Sequence, residues 1–363
     1  MSAKEIWCLV FAFAIAFVLS LATTPLAKRV AYLIGAVDVP RDNRRMHKRP
    51  IPRCGGLAII FGFMASVLCF GPPTRGLAAT MIGAGVIAIM GVVDDCKNLD
   101  ARLKFIIQIL AALIVVIGGD YRIEVMTNPN IFSDNTYIVF PWWLSGILSV
   151  LWIVFITNAV NFIDGLDGLA AGVSAIMSVS LVFIAIRAGE YSVAVVGTAL
   201  MGACFGFLPF NFNPANIFMG DTGSTFLGFI LATLSIQGVF KSYAIISFAV
   251  PLLILGLPLF DAMFAMLRRI LKGQNPMTAD RGHLHHRLID MGFSQKQTVF
   301  ILYAISGILG ITAVLLAERG TLMALIVLVC VLIFIIIETT MGRTSAMNKK
   351  NTETKASDKE ENK

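Results

Sequence analysis

Charged residues are scarce in this chain. Only 14% of its 363 residues are charged, whereas 57% are hydrophobic, and the mean hydropathy is +0.81. Such a composition indicates an integral membrane protein rather than a soluble domain with a large core. The net charge of +7 comes without any aromatic–basic motif, so no nucleic-acid partner is expected. In a membrane protein, an excess of this kind usually lies in cytoplasmic loops.

Patterns typical of disulfide or zinc chemistry are missing as well. The six cysteines are scattered without a CxxC pair, and no HExxH sequence occurs, so neither a disulfide framework nor a zinc site is predicted. No internal repeat is visible, which disfavours a transporter built from duplicated halves. The first apolar run is too long, and its start too weakly basic, for a signal peptide, so it is predicted to be a retained first span.

Long apolar runs are abundant, and eleven of them approach the ~20 residues that cross a bilayer as a helix. They cover residues 6–24, 55–70, 77–93, 105–118, 144–160, 169–186, 193–210, 224–238, 243–267, 299–317 and 321–338. Pro251, Gly256 and Pro258 interrupt the ninth run, so that helix is predicted to be kinked or broken. The expected fold is an all-α polytopic membrane protein, with one transmembrane domain over residues 1–342 and a disordered cytoplasmic tail over residues 343–363.

The basic residues orient these spans. If the amino terminus lies outside, all but six of the 29 Lys and Arg residues fall in inner loops or in the tail. Because cytoplasmic loops carry the excess of Lys and Arg, an N-out, C-in topology is predicted. Every loop with unusual polar residues then lies on the cytoplasmic face of the membrane.

Segment 161–168, Asn-Phe-Ile-Asp-Gly-Leu-Asp-Gly, places two carboxylates between two apolar runs. One interpretation of Asp164 and Asp167 is a pair of Asp-Gly turns, with Asp167 capping the next helix. The other is a ligand site, because charge near a membrane span is costly unless it meets water, a cation or a ligand. Similar carboxylates recur elsewhere in the chain, which favours the ligand site.

Three further carboxylates lie at the ends of apolar runs. Asp94 and Asp95 end the third run, with Lys104 nearby, and Asp221 lies between glycines before the eighth. Adjacent carboxylates repel each other unless a cation or water compensates. Acids beside bases suit Mg²⁺ and phosphate together. Solvated span ends, or a helix N-cap in the case of Asp221, are the simpler alternatives.

Two basic segments complete this face. Segment 44–56 includes His47 and Lys48 and is either a lipid-headgroup anchor or a pocket for phosphate. Segment 280–288 carries two arginines and three of the four histidines of the chain: Arg281, Arg287, His283, His285 and His286. These side chains suit phosphate or pyrophosphate better than zinc, although a solvated basic loop is the alternative. Asp261, inside the ninth run, either neutralises a nearby arginine or belongs to the site.

Carboxylates that collect a hard cation, beside bases that collect phosphate, imply metal-assisted phosphoryl transfer, and the surrounding spans imply a lipid co-substrate. In their order along residues 44–288, these segments resemble the polyprenyl-phosphate N-acetylhexosamine-1-phosphate transferases of glycosyltransferase family 4. The resemblance implies transfer of a sugar 1-phosphate from a UDP-sugar to a polyprenyl phosphate, with release of UMP. The branch that uses phospho-MurNAc-pentapeptide carries three consecutive histidines followed by Phe-Glu. Here His-Leu-His-His-Arg-Leu is similar to the UDP-GlcNAc branch, which begins teichoic acid, enterobacterial common antigen or O-antigen lipids.

The resemblance implies roles for individual residues. Mg²⁺, with Mn²⁺ as a substitute, is expected at Asp221 with help from Asp94 and Asp95. The expected catalytic residues are Asp94, Asp95, Asp164 and Asp167, and Asp94 is either a base or a geometric support. The expected substrate-binding residues are Lys104, Asn161, Asn211, His47, Lys48, Arg281, His283, His285 and His286. The expected partners are UDP-GlcNAc, undecaprenyl phosphate and membrane lipid. A homodimer, another N-acetylhexosamine donor and an ion-coupled transporter stay open, the transporter being least favoured.

Overall fold

The computed structural model describes residues 1–39, 49–128, 137–240, 249–271, 273 and 282–319. Its helices, in chain order, are α1 (Ala3–Leu33), α2 (Gly56–Phe70), α3 (Arg75–Lys97), α4 (Ala101–Leu113), α5 (Trp142–Phe162), α6 (Leu169–Ala188), α7 (Tyr191–Asn211), α8 (Gly220–Ser235), α9 (Ala249–Ile254), α10 (Gly256–Leu271), α11 (Leu284–Asp290) and α12 (Gln295–Arg319). Short π-helices continue α4 over Ile114–Gly118 and α8 over Ile236–Phe240. Two antiparallel hairpins pair β1 (Val37–Asp38) with β2 (Ile51–Pro52), and β3 (Val125–Thr127) with β4 (Tyr137–Val139).

Seven helices in these ranges are long and apolar enough to cross a membrane. They are α1, α3, α4 with its π-helical continuation, α5, α6, α7 and α12. Helix α2 is apolar but shorter. The prediction of a helical, multi-pass membrane protein is therefore confirmed. The expected ninth span is divided between α9 and α10 at Leu255, whereas the expected eleventh span and the tail lie outside the described residues.

Helix α8 is the central helix of the bundle. Every residue from Thr222 to Ser235 is buried, and α3 and α5 pack along its length. A helix that is apolar on all sides is stable when neighbours cover it on all sides. Its aromatic side chains fill the surrounding space, as in the edge-to-face contact between Phe226 and Phe63 of α2 at 5.3 Å between ring centroids.

A glycine brings α3 against the first turn of α8. A Cβ on Gly91 would collide with the backbone of Thr222, and small residues of this kind allow helix backbones to approach closely in membrane bundles. Gly91 lies one turn before Asp94 and Asp95 on α3. The same close contact therefore places these two carboxylates beside Asp221, which lies in the first turn of α8.

Candidate active site

A cluster of ionised side chains from three helices is centred on Lys104. Nζ of Lys104, on α4, lies 2.6 Å from Oδ2 of Asp94 on α3 and 2.9 Å from Oδ2 of Asp221 on α8. Nδ2 of Asn161, at the end of α5, donates to the other oxygen of Asp221 at 3.2 Å. One ammonium group thus joins two carboxylates that would otherwise repel each other, through charge-assisted hydrogen bonds.

Asp95 caps the helix that carries Asp221. Its Oδ1 accepts from the backbone N–H of Asp221 at 3.0 Å, and its Oδ2 accepts from the N–H and the hydroxyl of Thr222 at 3.1 and 2.6 Å. Helix α8 has no side-chain cap from its own N-cap residue, so this carboxylate from α3 takes that role and offsets the positive end of the helix dipole. Gly220 (φ +72°) permits the contact, because a Cβ there would collide with the Asp95 carboxylate.

Asp167 and Asn211 join the loop after α5 to the loop after α7. Oδ2 of Asp167 accepts from the N–H of Ala215 at 3.0 Å and from Nδ2 of Asn213 at 2.9 Å. Oδ1 of Asn211 accepts from the N–H of Gly168 at 3.1 Å. Both residues therefore hold the shape of the site.

Asp164 differs from its neighbours because its carboxylate has no hydrogen bond or ion pair within the described part of the chain. The side chain is half-buried. Burial, together with the nearby carboxylates of Asp221, Asp95 and Asp167, raises the pKa of Asp164 to about 8. Crowding of acids around an unpaired carboxylate favours a proton or a cation at this point.

A cavity of about 870 Å³ opens over the cluster, which is a size typical of sites for small molecules. Basic and aromatic side chains, including Lys28, Tyr32, Arg49 and Arg53, form part of its wall. The predicted site residues that line it are Asp95, Asn161, Asp164, Asp167, Asn211, Asp221 and His286. Acids and bases around one cavity suit a ligand that combines phosphate with a cation.

The three predicted histidines occupy different environments. His286 lines the cavity, whereas Nδ1 of His283 lies 2.9 Å from Oδ2 of Asp261. His285 is buried against Gly165, and its Nε2 has no hydrogen-bond partner among the described residues. Burial, and then the adjacent His286, lowers the pKa of His285 to about 4, so this imidazole is neutral at pH 7.

Known proteins share much of this sequence. Residues 77–239 match the model of glycosyl transferase family 4. Over 325 residues the chain is 40% identical to the probable undecaprenyl-phosphate N-acetylglucosaminyl 1-phosphate transferase of Bacillus subtilis, in a match that covers 88% of this chain and 89% of that relative. The chain belongs to glycosyl transferase family 4. This confirms the family resemblance that the motifs indicated.

More distant members of glycosyl transferase family 4 match over similar lengths. The chain is 33% identical to the decaprenyl-phosphate N-acetylglucosaminephosphotransferase of Mycolicibacterium smegmatis, over 78% of this chain and 76% of that protein. It is 29% identical to the undecaprenyl-phosphate alpha-N-acetylglucosaminyl 1-phosphate transferase of Salmonella typhimurium, over 79% of each. The similarity therefore extends well beyond the residues that match the family model.

Most of the predicted site residues come together in this family 4 structure. The cluster and the cavity wall contain Asp94, Asp95, Lys104, Asn161, Asp164, Asp167, Asn211, Asp221 and His286. His283 and His285 pack beside the cavity rather than line it. His47, Lys48 and Arg281 lie outside the described residues. The chemical roles assigned to all of these residues stay predictions.

Arg53 is a cavity residue that the sequence reasoning did not single out. Its guanidinium donates to the backbone carbonyl of Asp95 at 3.0 and 3.2 Å and to Oδ1 of Asn98 at 2.8 Å. Arg53 closes the basic segment 44–56, so the signal was present. The segment contains several basic residues, and the sequence does not show which of them reaches the cavity. That depends on where the end of α3 lies in space.

The donor set fits a hard divalent cation, although the described residues contain no group of three His, Cys, Asp or Glu side chains that could hold a metal alone. Mg²⁺ typically uses one or two protein carboxylates and completes its shell with water and substrate phosphates. Asp221 and Asp164 both line the cavity, and the unpaired carboxylate of Asp164 gains from added positive charge. These residues therefore suit a Mg²⁺ ion that arrives with a phosphate ligand.

Proposed function

We propose that this protein transfers N-acetylglucosamine 1-phosphate from UDP-GlcNAc to undecaprenyl phosphate, forming undecaprenyl-diphospho-GlcNAc and releasing UMP. The main support is the 40% identity, over nearly the whole chain, to a relative named for this transfer. The carboxylate–lysine cluster beside a polar cavity supplies the chemistry that such a transfer needs. The product would be the first lipid intermediate of a teichoic acid or O-antigen type polymer.

The lipid phosphate attacks the β-phosphorus of UDP-GlcNAc in line, and UMP leaves. A phosphate monoester has its second pKa at about 6, so the acceptor is largely dianionic at neutral pH and does not require a base. The ammonium of Lys104 is held by Asp94 and Asp221 and offsets negative charge on the transferring phosphoryl group. Asp94 then acts chiefly by holding Lys104. A large loss of rate in Asp94→Asn that varied across pH 6–8 would instead favour a base.

When bound, Mg²⁺ would offset negative charge on the pyrophosphate and polarise its oxygens. Asp221 is the residue that we propose to hold it. Asn161 orients one carboxylate oxygen of Asp221, and Asp95 fixes the backbone on which Asp221 lies. Asp164, on the opposite loop, adds a second carboxylate to the cavity wall. We expect Asp221→Asn to lower activity by several orders of magnitude.

The donor lies in the cavity with its phosphates toward Asp221 and the basic side chains. Asp167 and Asn211 shape the nucleotide side, because they join the two loops that border it. Arg53 and His286 line the same cavity and offer positive charge or hydrogen bonds to the diphosphate. Gly165, next to Asp164, lines the same cavity, and its missing Cβ leaves room for the His285 ring behind the loop.

We also propose an N-out, C-in topology with eleven spans in a bacterial plasma membrane, which opens the cavity to cytoplasmic UDP-GlcNAc. The distribution of Lys and Arg supports this orientation. A reporter that is active only in the cytoplasm should be active when fused after residue 363 and inactive when fused before residue 1. The opposite pattern would contradict the topology.

The reaction can be tested with the purified protein in detergent. We expect undecaprenyl phosphate and labelled UDP-GlcNAc to give labelled lipid and UMP with Mg²⁺, less with Mn²⁺ and none with EDTA. UDP-MurNAc-pentapeptide is the control donor, and turnover with it alone would move the protein to the other branch. Asp290→Asn, at an exposed position of α11, is a matched control for Asp221→Asn. Absence of turnover with UDP-GlcNAc would contradict the proposal.

A further inference from the structure

Asp261 is a buried carboxylate that the proposed reaction does not use. It lies on α10 with 9% of its surface exposed. It borders a small pocket whose other walls are mostly apolar and include Ile163, Leu169 and Leu302. A carboxylate in such surroundings needs strong hydrogen-bond donors. The structure provides them at the start of α11.

Two donors from consecutive residues meet the two oxygens of Asp261. Nδ1 of His283 lies 2.9 Å from Oδ2, and the backbone N–H of Leu284 donates to Oδ1 at 2.8 Å. His283 is the N-cap residue of α11, and its own side chain makes no capping hydrogen bond. Asp261 therefore caps α11 from another helix, as Asp95 caps α8.

Helix α10 also holds Gly282, the residue before His283. Nη1 of Arg268 donates to the carbonyl oxygen of Gly282 at 2.8 Å. Asp261 and Arg268 are seven residues apart, so they lie on the same face of α10. A carboxylate that accepts and a guanidinium that donates thus secure residues 282–284. The entry of the chain into α11 is therefore set by α10.

The position of this entry determines where the next two histidines lie. His285 packs against Gly165, with its ring parallel to that of His283 at 5.8 Å between centroids. The His286 ring follows at 4.2 Å from that of His285 and lines the cavity. A shift of the His283 ring would therefore move His285, which supports the Asp164–Gly165 loop. It would also move His286, which lines the cavity.

We propose that Asp261 is a positioning residue of the transferase, which fixes the start of α11 so that His286 faces the donor and His285 supports the Asp164–Gly165 loop. The proposal rests on the proposed function. Asp261 acts without touching substrate, because both of its oxygens are committed to His283 and Leu284. By accepting the Nδ1–H of His283, it also selects the tautomer of that imidazole.

Steady-state kinetics of Asp261→Ala, Asp261→Asn, His286→Ala and the Asp261→Ala/His286→Ala double variant test this role. We expect Asp261→Ala to lower kcat/KM for UDP-GlcNAc by about tenfold, the size of a lost helix cap, without changing the KM for undecaprenyl phosphate. Asn keeps an oxygen for Leu284, so it should recover part of the loss. The double variant should lose less than the product of the two single losses, because part of the Asp261 effect passes through His286, whereas losses that multiply fully would overturn the proposal.

Hydrogen–deuterium exchange supplies a readout that is independent of turnover. The amides of residues 284–287 should exchange about tenfold faster in Asp261→Ala, while Asp290→Asn at the other end of α11 should exchange as the wild type does. Unchanged exchange in Asp261→Ala would overturn the proposal. A wild type that exchanges as expected but does not use UDP-GlcNAc would contradict the proposed function alone. Elution from size exclusion identifies any variant that fails to fold.

Discussion

Removal of the Asp164 charge should stabilise the protein while it lowers activity. Asp164→Asn keeps the shape of the side chain and deletes a carboxylate that has no partner among the described residues. Burial and neighbouring acids raise its pKa from 3.8 to about 8. For an acid shifted upward, folding is favoured at low pH, and this contribution is lost as the pH rises through that interval.

The size of the effect follows from the same shift. The whole interval would correspond to ~6 kcal/mol at ~1.4 kcal/mol per pKa unit. Asp164 lines an open cavity, where solvent screening reduces the effect to ~1–3 kcal/mol. Thermal unfolding in detergent with EDTA at pH 8 should therefore show a Tm higher by ~2–6 °C for Asp164→Asn. At pH 4 the two proteins should unfold at similar temperatures.

Asp167, three residues further along the same loop, supplies a control of opposite sign. Its carboxylate accepts from Ala215 and Asn213, so Asp167→Ala removes the acceptor of the Ala215 N–H and leaves Asn213 with Gln295 alone, which should lower stability by ~1–3 kcal/mol. A lower Tm for Asp164→Asn at pH 8 would refute the reasoning, since it would mean that this carboxylate is stabilised by a partner rather than strained by its neighbours.

Three other results are expected. Asp95→Ala should cost ~2–3 kcal/mol of stability, because three hydrogen bonds that cap α8 are lost, whereas Asp94→Asn should cost ~1 kcal/mol; equal Tm shifts would contradict the capping role. Burial lowers the pKa of His285 from 6.5 to about 4. The contribution of the neutral imidazole to the free energy of unfolding should be fully present above pH ~6.5 and fall by ~1.4 kcal/mol per pH unit toward pH 4. His285→Leu should remove this slope from the curve of Tm against pH. The amides of Gln108 and Asn158 bond reciprocally, so single changes to Leu should each cost ~1 kcal/mol and the double change less than their sum in chemical unfolding.

The positions of most helices could be predicted because an apolar run long enough to span a bilayer has few other stable forms. Their ends were harder to predict. Helix α4 begins at Ala101 rather than near residue 105, because its first turn contains charges that hydropathy excludes. One of these, Lys104, is neutralised by carboxylates of two other helices. A charge that finds its partner inside the bundle does not end a helix.

The site could be predicted as a group of segments, because several polar segments recur at the ends of apolar runs. The separate structural role of each carboxylate could not be predicted. Asp95 is still expected near the metal, but the sequence did not show that its carboxylate also accepts hydrogen bonds from the first turn of α8. Asp261 was ambiguous, and it holds α11. Such roles depend on which helix end approaches which carboxylate in three dimensions, and spacing along the chain carries no information on that.

The two neighbouring carboxylates at the end of α3 contact different helices. Adjacent residues on a helix point about 100° apart, and here Asp94 reaches α4 while Asp95 reaches α8. Helix α3 is thus held by contacts with two neighbouring helices at the same level of the bundle. Any rotation of α3 about its own axis would weaken the contacts of Asp94 and of Asp95 together. Catalytic rate in bilayers of different thickness or lateral pressure would then report on the rotational setting of a single helix.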